Sequence, residues 1–306
     1  MQRRFLDYFI ISTKGIAMGA ADAVPGVSGG TIAFISGIYE ELITTISGVK
    51  LSLIKTLRHK GFSAFWKQLN GNFLLALMSG IIISFVSFMR LAKYLIEHHP
   101  ILIWSFFFGL ILASIYFVGK QIKTWGLPVY IALILGTLTA YYITTLPTLA
   151  SNESSYFLFI AGAIAICAMI LPGISGSFIL VVLGAYKTLS DALHDFDIKK
   201  IVLFGLGAVI GLLSFSHVLK WLFKHYHNIT LAILTGFIFG SLNKIWPWKE
   251  VLTWRTNSEG EKFPLLEKSI SPFTFDGDPQ LTFAVILMLV GFLTIIVLEK
   301  LGSKRG

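Results

Sequence analysis

The sequence predicts an all-α polytopic membrane protein built from two inverted-topology repeats, each a re-entrant helical hairpin followed by three transmembrane helices, with a small extracytoplasmic β-hairpin. Three observations predict it. Hydrophobic residues make up 55% of the 306 positions and charged residues 13%, with a mean hydropathy of +0.76, far from the balance of a water-soluble domain. Pro25-Gly26-Val27-Ser28-Gly29-Gly30-Thr31 and Pro172-Gly173-Ile174-Ser175-Gly176-Ser177-Phe178 set nearly the same helix-breaking cluster inside two apolar runs. The Lys and Arg residues, which give a net charge of +9, gather in short loops and at span ends.

The first repeat, 1–149, opens with a segment that is too short for two crossings. Asp7 and Lys14 interrupt the apolar run that a signal peptide requires, so Met1 to Thr13 reads as an amphipathic interfacial start. Residues 12–49 form the first hairpin. Its two pieces, of about 10 to 16 helical residues at ~1.5 Å rise each, reach only partway across a ~30 Å core and back. Spans follow at about 73–93, 101–119 and 127–146. The second repeat, 150–306, has its hairpin at 156–193, spans at about 201–220, 230–245 and 282–298, and an outer loop at 246–279. Within that loop Val251–Arg255 and Lys262–Leu266 read as a β-hairpin around Asn257-Ser258-Glu259-Gly260.

The repeat is visible as two offsets. Shifting by 147 residues lays Gly15, Pro25, Gly26, Ser28, Gly29, Gly37 and Tyr39 on Gly162, Pro172, Gly173, Ser175, Gly176, Gly184 and Tyr186. Shifting by 127 lays Gly80, Ser87, Lys93, Gly109 and Ser114 on Gly207, Ser214, Lys220, Gly236 and Ser241. Three spans per half is an odd number, so the halves enter the membrane in opposite senses and the two Pro-Gly tips approach the midplane from opposite faces. With both termini cytoplasmic, Lys50, Lys55, Arg58, Lys60 and Lys67 fall inside. So do Lys120, Lys123, Lys220, Lys224, Lys300, Lys304 and Arg305. A single crossing through the first motif would put the five-charge loop on the wrong side.

The motifs point to an anion, phosphate above all. Glycines admit close backbone approach, Ser28 and Ser175 stand where an N-cap would open a second half-helix, and exposed amides at a positive dipole end favour negative charge. The candidate phosphate-binding residues are Gly26, Ser28, Gly29, Gly30, Thr31, Gly173, Ser175, Gly176 and Ser177, joined by Arg90 and its repeat partner His217. The bland alternative is that small residues here only allow helices to cross closely. Arg90 with Lys93 then reads as snorkelling, and His217 as a span-end hydrogen bond. Asp22, whose repeat partner is Met169, is a candidate for H⁺ or Na⁺ coupling or for capping the break. Glu40 and Lys14, with Lys187, are candidate gates or interface anchors. His98, His99, His225 and His227 lie beside Trp104, Trp221 and Tyr226 and read as interfacial anchors rather than metal ligands. The single cysteine, Cys167, excludes an intrachain disulfide. No cofactor or metal is expected, and the basic charge is assigned to topology and anionic membrane lipids rather than nucleic acid.

At Gly19-Ala20-Ala21-Asp22-Ala23-Val24-Pro25-Gly26-Val27-Ser28-Gly29-Gly30-Thr31, Gly37-Ile38-Tyr39-Glu40 and Leu171-Pro172-Gly173-Ile174-Ser175-Gly176-Ser177, the chain resembles the bacterial polyprenyl-phosphate transporters, formerly a membrane domain of unknown function. The resemblance covers nearly the whole chain. It implies a multi-pass protein of the cytoplasmic (inner) membrane that returns undecaprenyl phosphate, a polyprenyl phosphate lipid, from the outer to the inner leaflet for carrier-lipid recycling. It leaves open whether the protein forms a homodimer. The rival class is an enzyme, the integral-membrane polyprenyl pyrophosphate phosphatases, which carry Pro-Gly-x-Ser-Arg-Ser at a hairpin tip. Here Gly29 and Gly176 stand where that arginine would be, and no paired glutamates lie in a nearby span. A small-anion channel or exchanger is the third reading.

Overall fold

The computed structural model describes residues 3–23, 27–50, 52–147, 149, 154–256 and 262–303. Pro25 and Gly26, the outer loop tip 257–260, and Lys304 with Arg305 lie outside the described residues. The first helix, α1 (Phe5–Asp22), is continuous through the expected interfacial start. Asp7 Oδ2 accepts the Arg4 amide at 2.8 Å and fixes the helix's first turn.

Each expected hairpin contains two breaks rather than one. After the first motif come α2 (Gly29–Ile35) and α3 (Tyr39–Ser47); after the second come α9 (Gly176–Val182) and α10 (Tyr186–His194), which follow α8 (Ser155–Ile170). The additional breaks fall at Gly37 (φ +72°) and Gly184 (φ +69°), a left-handed conformation that glycine adopts without a Cβ penalty. The bend from α9 to α10 is 107°. The basic stretch expected as a loop is α4 (Ser52–Gln68), a helix interrupted at Gly61.

Four long helices complete the first part of the chain and its counterpart. These are α5 (Gly71–His98), α6 (Pro100–Gly119), α7 (Leu127–Thr145) and α11 (Ile198–His225). After them come α12 (His227–Gly240), extended by a 3₁₀ turn at Ser241–Ile245, and α13 (Leu281–Ser303). Among the described residues, four helices are long and apolar enough to cross a membrane: Pro100–Gly119, Leu127–Thr145, Ile198–His225 and His227–Ile245. The count rises to six if each of two bent pairs is one span. One pair is α9 with α10, and the other is the two segments of α5, which meet at 41°.

Adding 147 to the ends of α2 and α3 gives the ends of α9 and α10, and adding 127 to those of α5 gives α11. Packing follows the same relation. Helix α1 lies along α5 as α8 lies along α11, while α6 packs on α13 and α12 on α7, so each half lends a helix to the other. All four pairs approach backbone to backbone at glycines. A Cβ at Gly162 would sit 2.5 Å from Phe204 O and one at Gly136 2.5 Å from Ile233 O, while Gly80 meets Ser12 O and Gly291 meets Phe106 O more closely still.

The two strands, β1 (Lys249–Thr256) and β2 (Lys262–Ser269), form an antiparallel hairpin that pairs Lys249 with Ser269. Alone it would be marginal. It is anchored by Trp246, whose Nε1 donates to Ile270 O at 2.8 Å, and by Trp248, whose Nε1 donates to Pro279 O at 2.9 Å. Trp248 is buried with Ile101 of α6 and Ala284 of α13.

Candidate functional site

The two motifs meet each other. Ser28 is the N-cap of α2, and its Oγ accepts the Gly30 amide at 3.1 Å. The same hydroxyl lies 3.2 Å from Met169 O and 3.4 Å from Leu171 O, to which it donates across the repeat boundary. Thr31 Oγ1 accepts the Gly173 amide at 3.0 Å, and the Tyr39 hydroxyl donates to Ile170 O at 3.2 Å. Gly30 makes this junction sterically feasible, because a Cβ there would stand 2.7 Å from Ile170 O and 3.1 Å from Met169 O. Ser28 and Thr31 are essentially unexposed.

The Gly29, Gly30 and Thr31 amides of the first motif are therefore occupied. Asp22 Oδ1 accepts the Gly29 amide at 2.7 Å, so a carboxylate of the chain sits where an external anion would bind. Asp22 thus closes the break left between α1 and α2. The second motif has Met169 at that position and is built differently. Ser175 is the N-cap of α9 but makes no side-chain cap; its Oγ lies 2.8 Å from Ser177 Oγ instead. Ser177 is exposed and Gly176 is buried against Ala165 O. A small, partly open recess with room for about one water molecule lies beside this motif. Its walls are Ile143, Thr144, Gly173, Ile174, Ser175, Phe178 and Lys244.

Lys244 was not legible as a site residue. It lies in the 3₁₀ turn after α12, its Nζ 5.0 Å from the centre of the Phe178 ring and 3.5 Å from Glu267 Oε2. The same carboxylate oxygen is 3.5 Å from Lys249 Nζ, which rests 4.2 Å above the Trp104 ring. Burial pushes the Lys249 ammonium down to about 8, with Glu267 pulling the other way. The signal that finds Lys244 is broken repeat symmetry: its partner at the 127-residue offset is Phe117, just as the partner of Asp22 is Met169.

Among the described residues, no hydrogen bond or ion pair joins Arg90 or His217 to the motifs. Both lie on exposed faces, of α5 and α11, and His217 Nδ1 is 2.6 Å from Leu213 O of its own helix. Lys14 and Glu40 do join elements. Lys14 Nζ donates to Ser36 O at 2.6 Å, tying α1 to the second break, and Glu40 Oε1 is 3.2 Å from His227 Nε2 at the start of α12. Beside them Arg3 grips Glu41 through two 2.6 Å bonds.

This face is closed by aromatic packing that has no counterpart across the repeat. The Tyr39 ring meets Phe223 of α11 at 6.0 Å and Phe34 at 4.9 Å, leaving Tyr39 only 2% exposed, whereas its partner Tyr186 is 43% exposed. Among the described residues, no comparable packing joins α10 to α5.

The chain is similar to known proteins over most of its length. A model of the VCA0040-like family, described as undecaprenyl phosphate translocase-like, matches residues 18–263. A polyprenyl-phosphate transporter of Vibrio cholerae serotype O1 is 47% identical over 308 residues, covering 99% of this chain and all of that protein. A polyprenyl-phosphate transporter of Staphylococcus aureus is 32% identical over 252 residues, 76% of this chain and 84% of the relative. No solved structure matches.

Proposed function

The chain belongs to the VCA0040-like family of undecaprenyl phosphate translocase-like proteins, and from that premise we propose that it carries undecaprenyl phosphate from the outer to the inner leaflet of the cytoplasmic membrane. The two halves are inverted repeats, their hairpins re-enter from opposite faces, and the phosphate binds between the tips while the prenyl tail stays in lipid. The matching ends of α2, α3 and α5 with α9, α10 and α11 support the repeat, as does the exchange of α6 and α12 between halves.

The observation that carries the mechanism is the asymmetry between equivalent residues. With α3 sealed onto α11 and α10 standing away from α5, the face bearing Lys14, Glu40 and His227 is shut, and the face bearing Ser175 and Ser177 is open. Under the topology expected from the charges, this is an outward-facing state, ready to accept a headgroup from the outer leaflet. Exchange of the two arrangements, with Tyr186 sealed and Tyr39 released, would present the same centre to the cytoplasm. In the outward state the second motif meets the phosphate first, because the Gly29 and Gly30 amides of the first motif are held by Asp22 and Ser28.

Hydrolysis is disfavoured by the same geometry. An arginine at position 29 would run into Asp22, and a Cβ at Gly176 already stands 2.8 Å from Ala165 O, so neither motif has room for a phosphoryl-transfer arginine. The test is reconstitution of the purified protein with a fluorescent polyprenyl phosphate, measuring leaflet transfer with and without an imposed pH or Na⁺ gradient. Protein-dependent transfer with no phosphate release is expected. Release of phosphate from polyprenyl pyrophosphate, or anion flux indifferent to the lipid, would replace this reading with one of its rivals.

A further inference from the structure

The recess beside the second motif has a cation wall that is held by the outer hairpin. Lys244 lines it together with Ser175 and Gly173, and its ammonium is shared between the Phe178 ring and Glu267 of β2. Glu267 in turn serves Lys249 through the same oxygen, so one carboxylate neutralises two ammonium groups that are 27% and 7% exposed. One positive charge is left over beside a recess that Ser175 also lines, its hydroxyl 2.8 Å from that of Ser177. Such an arrangement favours a second anion, because a partly buried cation in excess of its carboxylate partner gains from a group that brings both charge and acceptor oxygens.

We propose that Lys244 is the residue that takes the phosphate monoester of the lipid, and that Glu267 holds its ammonium in place until the phosphate displaces the carboxylate. The inference rests on the transport reading and adds a substrate-contacting residue and a role for the outer hairpin. When the phosphate arrives, Lys244 exchanges a carboxylate for a group with three acceptor oxygens, and Ser175, which lines the same recess, can donate to it. Glu267 then belongs to Lys249 alone. The hairpin therefore registers whether the recess is filled, since β2 is tied to the 3₁₀ turn both by Glu267 and by Ser269 Oγ, which lies 2.8 Å from Asn243 Oδ1.

The test is equilibrium binding of a radiolabelled polyprenyl phosphate to the full-length protein in nanodiscs, with polyprenol and inorganic phosphate as competitors. Lys244→Gln should weaken binding by about tenfold, and Lys244→Arg should retain it within about threefold. Glu267→Gln, which removes the competing carboxylate, should tighten binding by about threefold or more. A merely structural ion pair would move both neutralised variants in the same direction. Binding by Lys244→Gln equal to that of the unaltered protein, or equal weakening by Glu267→Gln, would overturn the proposal while leaving transport intact. Displacement by inorganic phosphate at matched concentration would overturn the assignment to a lipid headgroup. If the unaltered, folded protein binds no polyprenyl phosphate, the transport reading itself fails.

Discussion

Replacing Tyr39 with phenylalanine removes one hydroxyl and leaves the ring among Phe34 and Phe223, at 4.9 and 6.0 Å. The lost bond is the 3.2 Å contact to Ile170 O, one of four hydrogen bonds that join the first motif and α3 to the second motif and the end of α8. A bond of this kind contributes about 1 kcal/mol net, and up to ~3 kcal/mol if the buried carbonyl is left without a donor. If the contact exists only in the state seen here, the ratio of this state to its alternative falls at least about fivefold. Tyr186→Phe should act in the opposite sense, since Tyr186 is 43% exposed here and would be sealed only in the alternative state. The reporter is Ser177→Cys in a Cys167→Ser background, modified by an impermeant maleimide; Ser177 is exposed in this state. Tyr39→Phe should slow modification and Tyr186→Phe should leave it unchanged or faster. Equal slowing by both variants, or no change with Tyr39→Phe, would refute the reasoning.

Three further outcomes follow from the geometry. Gly30→Ala puts a Cβ 2.7 Å from Ile170 O and must part the motifs by roughly 0.5 Å; transfer should fall about tenfold or more in a protein that still folds. Asp22→Asn keeps an acceptor for the Gly29 amide and should melt close to the unaltered protein, whereas Asp22→Ala loses about 1 kcal/mol of cap, or ~2–4 °C. Gradient-dependent transfer that persists in Asp22→Asn would remove Asp22 from ion coupling. Lys249 has its value lowered from 10.5 to about 8, so the unfolded chain binds more protons between those values and stability must rise with pH across that window. The thermal midpoint in detergent should climb from about pH 8 to about 10.5, and Lys249→Met should flatten the climb.

Much of the fold was legible because membrane helices carry strong signals. The apolar windows found the long helices to within a few residues, and the glycines aligned by the two offsets turned out to be helix crossings, as at Gly80 and Gly162. The second breaks were not read, although Gly37 and Gly184 were aligned, because an isolated glycine in an apolar run does not announce a positive φ. The site was legible as a pair of motifs but not in its asymmetry. Periodicity sees two equal tips, while the capping of one by Asp22 and the lining of the other by Lys244 depend on a carboxylate 7 positions from the glycine amide it accepts and an ammonium 69 positions from the serine that shares its recess. Arg90 and His217 share a repeat position, and the helical phase of α5 and α11 turns both to exposed faces.

Side-selective labelling of single cysteines in intact cells tests the proposed opposed orientation of the halves most directly. Lys55→Cys and Lys123→Cys should both be protected from an impermeant reagent added outside, while Ser177→Cys should react with it; all three side chains are exposed. Labelling of Lys55→Cys and Lys123→Cys from different faces, or of Ser177→Cys from the cytoplasm alone, would contradict it.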